Sequence, residues 1–268
     1  VISIKLSRVK RFKSIFYDVM KNSVKKLSEI ISHSERIVVF TGAGISTQSG
    51  IPDFRGTNGL WLKYKPISFD EFMTSKAARV ESWRQKCKLN FDLEKARPNN
   101  GHRAVAYLDS KGFLRTLITQ NVDGLHQVSG VDAKKIIEIH GNATKAVCLE
   151  CSKNFVLEVV LKEFKIANEP PLCDQCGGFI KTATISFGQA MPQGAVRKAD
   201  HAARDCDLFL VLGSSLVVYP AASLPRIAKD NGATLVIINH QPTDLDGLAD
   251  LVIRDEIGDT LSLALGIN

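Results

Sequence analysis

The chain has 268 residues, of which 44% are hydrophobic and 24% are charged, and its formal net charge is +7. These values are typical of a globular protein and exclude a disordered or fibrous chain. The longest largely apolar stretch, residues 208–224, is interrupted by Ser, Gly and Pro. It falls short of the run of about 18 apolar residues that indicates a membrane span, so we expect no membrane association.

The positive charge is concentrated at the N-terminus. Residues 1–30 contain eight Lys or Arg residues against Asp18 and Glu29, so the rest of the chain is almost neutral. Since nucleic-acid-binding proteins carry a basic face, we expect no sequence-specific nucleic-acid partner. Residues 1–19 lack the long apolar core of a secretory signal. We interpret them as a basic extension and predict a cytoplasmic protein.

Apolar runs and helical patterns alternate along the chain. Val24, Leu27, Ile30 and Ile31 form one stripe of a helix predicted over residues 20–33. Strands are predicted at residues 36–40, 114–119, 136–139, 208–212, 235–238 and 251–253, with helices between several of them, for instance at 102–110 and 194–204. Apolar strands that alternate with helices indicate an α/β fold with a parallel, Rossmann-like sheet covered on both faces.

Two segments interrupt this alternation. Residues 56–98 are polar and partly helical in pattern, and residues 141–182 contain four paired cysteines and a Pro-Pro turn. We interpret the first as a helical insertion and the second as a zinc module. The α/β body would then comprise residues 20–55, 99–140 and 183–268.

Four of the six cysteines form two C-x-x-C pairs, which are Cys148 with Cys151 and Cys173 with Cys176. Two such pairs can place four thiolates in a tetrahedron about 2.3 Å from one Zn²⁺. Four sulfur ligands leave no open coordination position, so the predicted site is structural rather than catalytic. Cys87 and Cys206 have no paired partner and are expected to be isolated thiols.

A glycine-containing turn follows the first predicted strand. Gly42 and Gly44 could let the backbone approach a pyrophosphate, which the N-terminus of a following helix would also attract. A tight turn without a ligand remains the alternative, because Thr47 occupies the position of the third glycine in the G-x-G-x-x-G pattern. The same departure argues against an ordinary hydride-transfer dehydrogenase.

Several polar motifs follow the later strands, and the carboxyl ends of parallel strands are where such sheets bind ligands. The motifs are GAGISTQSGIPDFRG at 42–56, TQNVDGLH at 119–126, EIHG at 138–141, GSSLVVYP at 213–220 and NHQPT at 239–243. In this order around the four cysteines, they resemble the bacterial type of the sirtuin family, NAD-dependent protein lysine deacylases. The resemblance covers about residues 20–263.

The resemblance implies removal of acyl groups, foremost acetyl, from lysines of proteins or peptides. NAD would be consumed as co-substrate, giving nicotinamide, O-acyl-ADP-ribose and free lysine. His140 would be the catalytic base, since an imidazole titrates near neutrality. Asn121 would be the second catalytic residue and, with Gln120, would bind ribose hydroxyls and an ordered water. The implied NAD-binding residues are Gly42, Ala43, Gly44, Ile45, Thr47, Asp53, Phe54, Arg55, Gln120, Asn121, Val122, Asp123, His140, Gly213, Ser214, Ser215, Asn239 and Ile257. The substrate peptide would add as a strand against Phe187, Gly188, Gln189, Leu216, Val217 and Val218.

Two departures from the family pattern concern the substrate. Ser186-Phe-Gly-Gln189 replaces the Phe-Phe-Gly-Glu of many members. The Tyr-x-x-Arg pair of members that prefer acidic acyl groups is also absent, with Lys86 and Leu89 at the aligned positions. We therefore expect an uncharged acyl group.

Four other functions remain as alternatives: a sirtuin-type mono-ADP-ribosyltransferase, a non-catalytic NAD- or ADP-ribose-binding module, a zinc-ribbon nucleic-acid binder and a dehydrogenase. His140 together with Asn121 and Asp123 disfavours the binding module, because binding alone requires no base. The other five histidines are expected to be ordinary surface or core residues: His33, His102, His126, His201 and His240.

Overall fold

The computed structural model describes residues 21–54 and 59–267. The predicted extension at residues 1–19 and the predicted NAD-binding residue Arg55 lie outside the described residues. Among the helices of the described ranges, none is long and apolar enough to cross a membrane.

A six-stranded sheet forms the centre of the body. Its strands are β1 (Ile37–Thr41), β2 (Leu114–Thr119), β3 (Ile136–Glu138), β7 (Leu208–Leu212), β8 (Thr234–Ile238) and β9 (Leu251–Ile253). They lie in the order β3-β2-β1-β7-β8-β9, and all of their pairings are parallel. The predicted parallel sheet is confirmed, and each predicted strand end lies within one residue of the observed end.

Helices cover both faces of this sheet. One face carries α1 (residues 21–32), α5 (Asn100–Ser110) and α10 (Ile257–Leu265), and the other carries α8 (Gln193–Asp205) and α9 (Leu224–Asp230). Successive side chains of a strand point to opposite faces. Ile37 and Val39 of β1 therefore join the first apolar cluster, and Val38 and Phe40 join the second. Burial on both faces explains why the strands are apolar throughout.

The direction of strand succession reverses at β1. β2 and β3 extend the sheet on one side of β1, whereas β7, β8 and β9 extend it on the other. Such a reversal leaves a crevice at the carboxyl ends of the strands, where ligands bind in open α/β sheets. Thr41, Thr119, Leu212 and Ile238 end the four central strands, so the loops that follow them share this edge.

The cysteine-containing segment folds as a separate antiparallel sheet. Its elements are β4 (Gly141–Cys148), β5 (Asn154–Val156), α7 (Leu157–Ala167) and β6 (Ile180–Thr184), and the strands lie in the order β5-β4-β6. The sequence predicted a zinc module over residues 141–182 but did not predict its strands or its helix. Helix α7 buries Leu157, Val160, Leu161 and Phe164, which is the spacing of an amphipathic helix.

The insertion before α5 consists of three helices, α2 (Leu60–Lys63), α3 (Phe69–Thr74) and α4 (Lys76–Lys95). α3 begins at a capping box, in which the Ser68 hydroxyl accepts from the Glu71 N–H and the Glu71 carboxylate accepts from the Ser68 N–H. Trp83 of α4 is 2% exposed, and its ring centroid lies 6.3 Å from that of Phe164. The insertion thus packs against the cysteine-containing segment. The remaining short helix, α6 (Leu125–Val128), follows β2.

Candidate active site

A cavity of about 930 Å³ opens at the carboxyl edge of the central sheet. Its wall contains most of the residues predicted from sequence, namely Gly42, Ala43, Gly44, Thr47, Asp53, Phe54, Gln120, Asn121, Val122, His140, Phe187, Gly188, Gln189, Gly213, Ser214, Ser215, Val218 and Asn239. The fold therefore collects side chains from the loops of neighbouring strands that are far apart in the chain.

Five predicted residues that the structure describes do not line this cavity. Ile45, Leu216 and Ile257 are at most 7% exposed and belong to the hydrophobic core. Val217 is 48% exposed and lies outside the wall. Asp123 lies behind the wall, where it contacts other polar side chains. Because the side chains of these three residues are buried, any contact of Ile45 or Ile257 with NAD, or of Leu216 with the substrate peptide, would be through the backbone.

Gly42 and Gly44 pack against the turn that follows β7. The Gly44 N–H donates to the Gly213 carbonyl oxygen at 2.8 Å, and a Cβ on Gly44 would lie 2.8 Å from the same oxygen. Gly213 has φ +64°, and a Cβ there would lie 2.4 Å from the Ile45 nitrogen. Only glycine allows this contact between the turns. This contact joins the two turns, and because the three glycines have no side chains, the backbone of both turns lines the cavity.

Asn121, Ser46 and Asp123 form a polar cluster beneath the turn after β1. The Asn121 amide donates to the Gly42 carbonyl oxygen at 3.0 Å and to Ser46 Oγ at 3.2 Å. Ser46 Oγ in turn donates to Asp123 Oδ2 at 2.7 Å, and the Leu125 N–H donates to Asp123 Oδ1 at 2.9 Å. Burial raises the pKa of Asp123, and these hydrogen bonds oppose that shift. Sequence reasoning missed Ser46, although it lies within a quoted motif.

His140 follows β3 and lies on the cavity wall, half-buried. Its Nδ1 is 3.3 Å from the carbonyl oxygen of Gln120. A carbonyl oxygen only accepts, so Nδ1 carries the proton and Nε2 keeps a free lone pair. Burial lowers the pKa of His140 below its usual value, although the bond to Gln120 opposes the shift. The ring is therefore neutral at pH 7 and able to accept a proton.

Aromatic side chains form one part of the wall. The ring centroid of Trp61 lies 5.5 Å from that of Phe54 and 5.3 Å from that of Phe187. The loop that carries Phe187 is closed by the Ser186 N–H, which donates to Gln189 Oε1 at 3.1 Å. Sequence reasoning did not single out Trp61. These rings make this end of the cavity apolar, so it suits a long uncharged side chain.

Another part of the wall is polar. The Gln120 amide donates to Ser214 Oγ at 2.8 Å, and the Asn239 amide donates to the Gln241 carbonyl oxygen at 2.8 Å. His240 also lines the cavity, and its Nε2 lies 3.2 Å from Glu256 Oε1. Hydroxyl and amide groups here offer both donors and acceptors to a polar ligand such as a nucleoside.

The four paired cysteines converge in the antiparallel module. Their sulfur atoms all lie within 4.8 Å of one another, with Cys148 Sγ 3.5 Å from Cys176 Sγ and Cys151 Sγ 3.7 Å from Cys173 Sγ. Thiolates about 2.3 Å from a tetrahedral Zn²⁺ are separated by about 3.8 Å. The cysteines therefore fit one structural zinc ion, with no coordination position left for a substrate.

Comparison with known proteins identifies the family. A sequence profile of the Sir2 family matches residues 42–220. The chain belongs to the Sir2 family. The NAD-dependent protein deacetylase of Rhodopseudomonas palustris is 50% identical over 247 residues, which are 92% of this chain and 98% of the relative. The NAD-dependent protein deacylase 2 of Pyrobaculum aerophilum is 42% identical over 243 residues, which are 88% of this chain and 92% of that protein.

Solved Sir2 structures share the fold. One contains a deacetylated peptide and 3′-O-acetyl ADP ribose and superposes with a TM-score of 0.84 at 38% identity. The superposition covers 91% of this chain and 98% of that chain. Another contains a peptide and NAD⁺ and superposes with a TM-score of 0.82 at 37% identity. This superposition covers 90% of this chain and 97% of that chain. The predicted family and fold are both confirmed.

Proposed function

We propose that this Sir2-family chain is an NAD-dependent protein lysine deacylase that acts foremost on acetyl-lysine. NAD, acyl-lysine and water would give nicotinamide, O-acyl-ADP-ribose and free lysine. The observation that carries this proposal is His140, a neutral imidazole with a free Nε2 on the wall of the cavity that also contains the glycine turn. NAD supplies the ribose carbon that becomes electrophilic when nicotinamide leaves.

The polar side of the cavity is the proposed NAD site. The turn at residues 42–47 would meet the pyrophosphate, because glycine there permits close approach of the backbone. Ser214, Ser215 and Asn239 would bind the adenosine half. Asn121 would bind the nicotinamide half directly, and the Asp123 carboxylate behind the cavity wall would hold Ser46 beside Asn121.

The apolar side is the proposed acyl-lysine site. Phe54, Trp61 and Phe187 would surround the lysine stem and exclude water from the reacting carbonyl group. The peptide would lie as an added strand between residues 187–189 and 216–218. Nε2 of His140 would accept a proton from a ribose hydroxyl, which is thereby activated to attack the acyl carbon.

One assay separates this function from its alternatives. Purified protein is incubated with NAD and an acetylated peptide, and nicotinamide release and peptide mass are followed with a no-NAD control. A deacetylase releases nicotinamide and removes one acetyl group for each NAD consumed. An ADP-ribosyltransferase would add the mass of ADP-ribose to protein or peptide, and a binding module would release no nicotinamide. Either of the last two results would refute the proposal.

We also propose a cytoplasmic location. Four thiolates must remain reduced to hold a metal ion, and reducing conditions are those of the cytosol. Cell fractionation tests this proposal, and recovery of the protein in a membrane or secreted fraction would contradict it.

A further inference from the structure

Two buried histidines meet behind the cavity. His102 of α5 and His126 of α6 are 0% and 1% exposed, and their ring centroids are 4.9 Å apart. Neither ring lines the cavity. Each one, however, contacts a hydroxyl group that leads to the polar cluster of Asn121, Ser46 and Asp123.

The neighbours of His126 fix the position of its proton. Thr41 Oγ1 donates its only hydrogen to Thr119 Oγ1 at 2.8 Å, so it can only accept from His126 Nε2, which lies 3.0 Å away. Nε2 of His126 therefore carries the proton. Thr119 Oγ1 also accepts from the Asn121 backbone N–H at 3.0 Å. Through two threonines, His126 holds the main chain of Asn121.

His102 carries its proton on the same nitrogen. The Asn99 backbone N–H donates to Nδ1 of His102 at 3.4 Å, which leaves the proton of the neutral ring on Nε2. This nitrogen lies 3.5 Å from Ser46 Oγ. Since Ser46 gives its own hydrogen to Asp123, its oxygen accepts from His102 and from the Asn121 amide. Through Ser46, His102 holds Asp123 and the side chain of Asn121.

The surroundings of Nδ1 disfavour a second proton on either imidazole ring. Nδ1 of His126 is buried and has no hydrogen-bond partner among the described residues, and Nδ1 of His102 already faces an N–H donor. Burial lowers the pKa of His126 to about 3 and that of His102 to about 4, with further lowering by His102 and Arg103 respectively. Both rings therefore remain neutral Nε2–H donors over the whole physiological pH range.

We propose that His102 and His126 are a pair of positioning residues that hold Asn121 and Asp123 in place for the nicotinamide half of NAD. The inference rests on the proposed function, because it assigns NAD to this cavity. One ring orients the main chain of Asn121, and the other orients its side chain and the Asp123 carboxylate. The contact between the two rings makes each a support for the other.

The test compares variants that keep or lose the Nε2–H donor. Gln can place an amide N–H near the position of Nε2, whereas Leu cannot, so His126→Gln is the matched control for His126→Leu, and likewise His102→Gln for His102→Leu. The Leu variants are expected to bind NAD and nicotinamide about tenfold more weakly, the scale of one buried hydrogen bond to a polar group. The Gln variants should recover most of that loss. The KM for acetylated peptide should stay within about twofold in all four, because the peptide side of the cavity is untouched.

NAD affinity measured by calorimetry does not depend on turnover, so it separates this inference from the proposed function. If wild-type protein binds NAD but removes no acyl group, the proposed function fails and the positioning test still applies. A folded Leu variant with wild-type affinity for NAD would overturn the inference. So would a loss that is equal for NAD and peptide, since that pattern indicates general destabilisation.

If a Leu variant does not fold, Thr41 offers a second route. Thr41→Val conserves volume but removes the hydroxyl between His126 and Thr119, whereas Thr41→Ser keeps it. The Val variant should show the same weakening of NAD affinity with unchanged peptide KM, and the Ser variant should resemble wild type. Equal NAD affinities in these two variants would overturn the proposed role of His126.

Discussion

Replacing His140 tests the assignment of the base. Asn at this position can keep a donor near Nδ1, and with it the contact of 3.3 Å to the Gln120 carbonyl oxygen, but it has no atom that accepts a proton at the position of Nε2. His140→Ala removes both. A positioned base contributes about 10²–10⁴-fold to rate, equivalent to about 2.7–5.5 kcal/mol of activation free energy. Both variants should therefore lose that much kcat.

The expected cost in stability is much smaller. The ring is half-buried and makes one long hydrogen bond, which contributes about 1 kcal/mol. For a chain of this size that corresponds to a fall in Tm of about 2–4 °C in His140→Ala, and less in His140→Asn. NAD affinity should change little, because the bonds that hold Asn121 and Asp123 do not involve His140.

The assay follows deacetylation by peptide mass and NAD binding by calorimetry. His240→Asn is the matched control, because His240 lines the same cavity but pairs with Glu256; its kcat should remain within about threefold of wild type. A folded His140→Asn variant with near-wild-type kcat would refute the assignment of His140 as the base.

The pH profile provides an independent test of the same assignment. The base is active when neutral, and burial lowers its pKa, so kcat/KM should be flat above about pH 6.5, the ordinary histidine value. It should fall only as the pH drops through the lowered pKa. An acidic limb centred above about pH 7 would contradict the assignment.

Three further predictions concern the metal, the glycine turn and the acyl group. Cys148→Ser should lower both the zinc content, from about one ion per chain, and the Tm, because structural metal binding is coupled to folding. Cys206→Ser, outside the cluster of four cysteines, should keep the full zinc content in metal analysis, and full zinc retention by Cys148→Ser would refute the site. Gly213→Ala should lower the free energy of unfolding by about 1–3 kcal/mol through steric overlap, measured with denaturant. Gly247→Ala, where a Cβ meets no atom of the described residues within 4 Å, should cost less than half of that. Acetyl-lysine peptides should exceed succinyl-lysine peptides in kcat/KM by at least about tenfold, or ~1.4 kcal/mol. Lys86 is buried, its Nζ has no partner within residues 21–54 and 59–267, and it does not line the cavity. Lys86→Met should therefore leave this ratio unchanged, and equal turnover of both peptides would contradict the prediction.

The parallel sheet could be predicted because its strands carry one consistent signal. Residues 208–212 and 251–253 are apolar at every position and buried or nearly so on both faces, so strand type and ends agree with the structure. The small antiparallel sheet carries no such signal. Residues 141–148 include Asn, Thr and Lys, and the strand is held by pairing with β6 and by the cysteines rather than by its apolar pattern.

The site could be predicted at the level of motifs but not of contacts. Gly42 and Gly213 lie in distant parts of the chain, and only the fold shows that their turns touch. His102 and His126 have no local feature that separates them from ordinary core histidines. Their significance depends on hydrogen-bond directions, which only three-dimensional neighbours determine.

The metal-binding module leaves the body directly after His140 and returns at Ile185. The two chain segments are joined there, since the Ile185 N–H donates to the His140 carbonyl oxygen at 2.9 Å and Gly141 pairs with Thr184. His140 therefore lies at the junction between the α/β body and the module that holds the four cysteines. Loss of the metal ion to a chelator or a thiol oxidant is expected to loosen this junction and displace the imidazole. Such inhibition would occur outside the cavity and would be noncompetitive with both substrates.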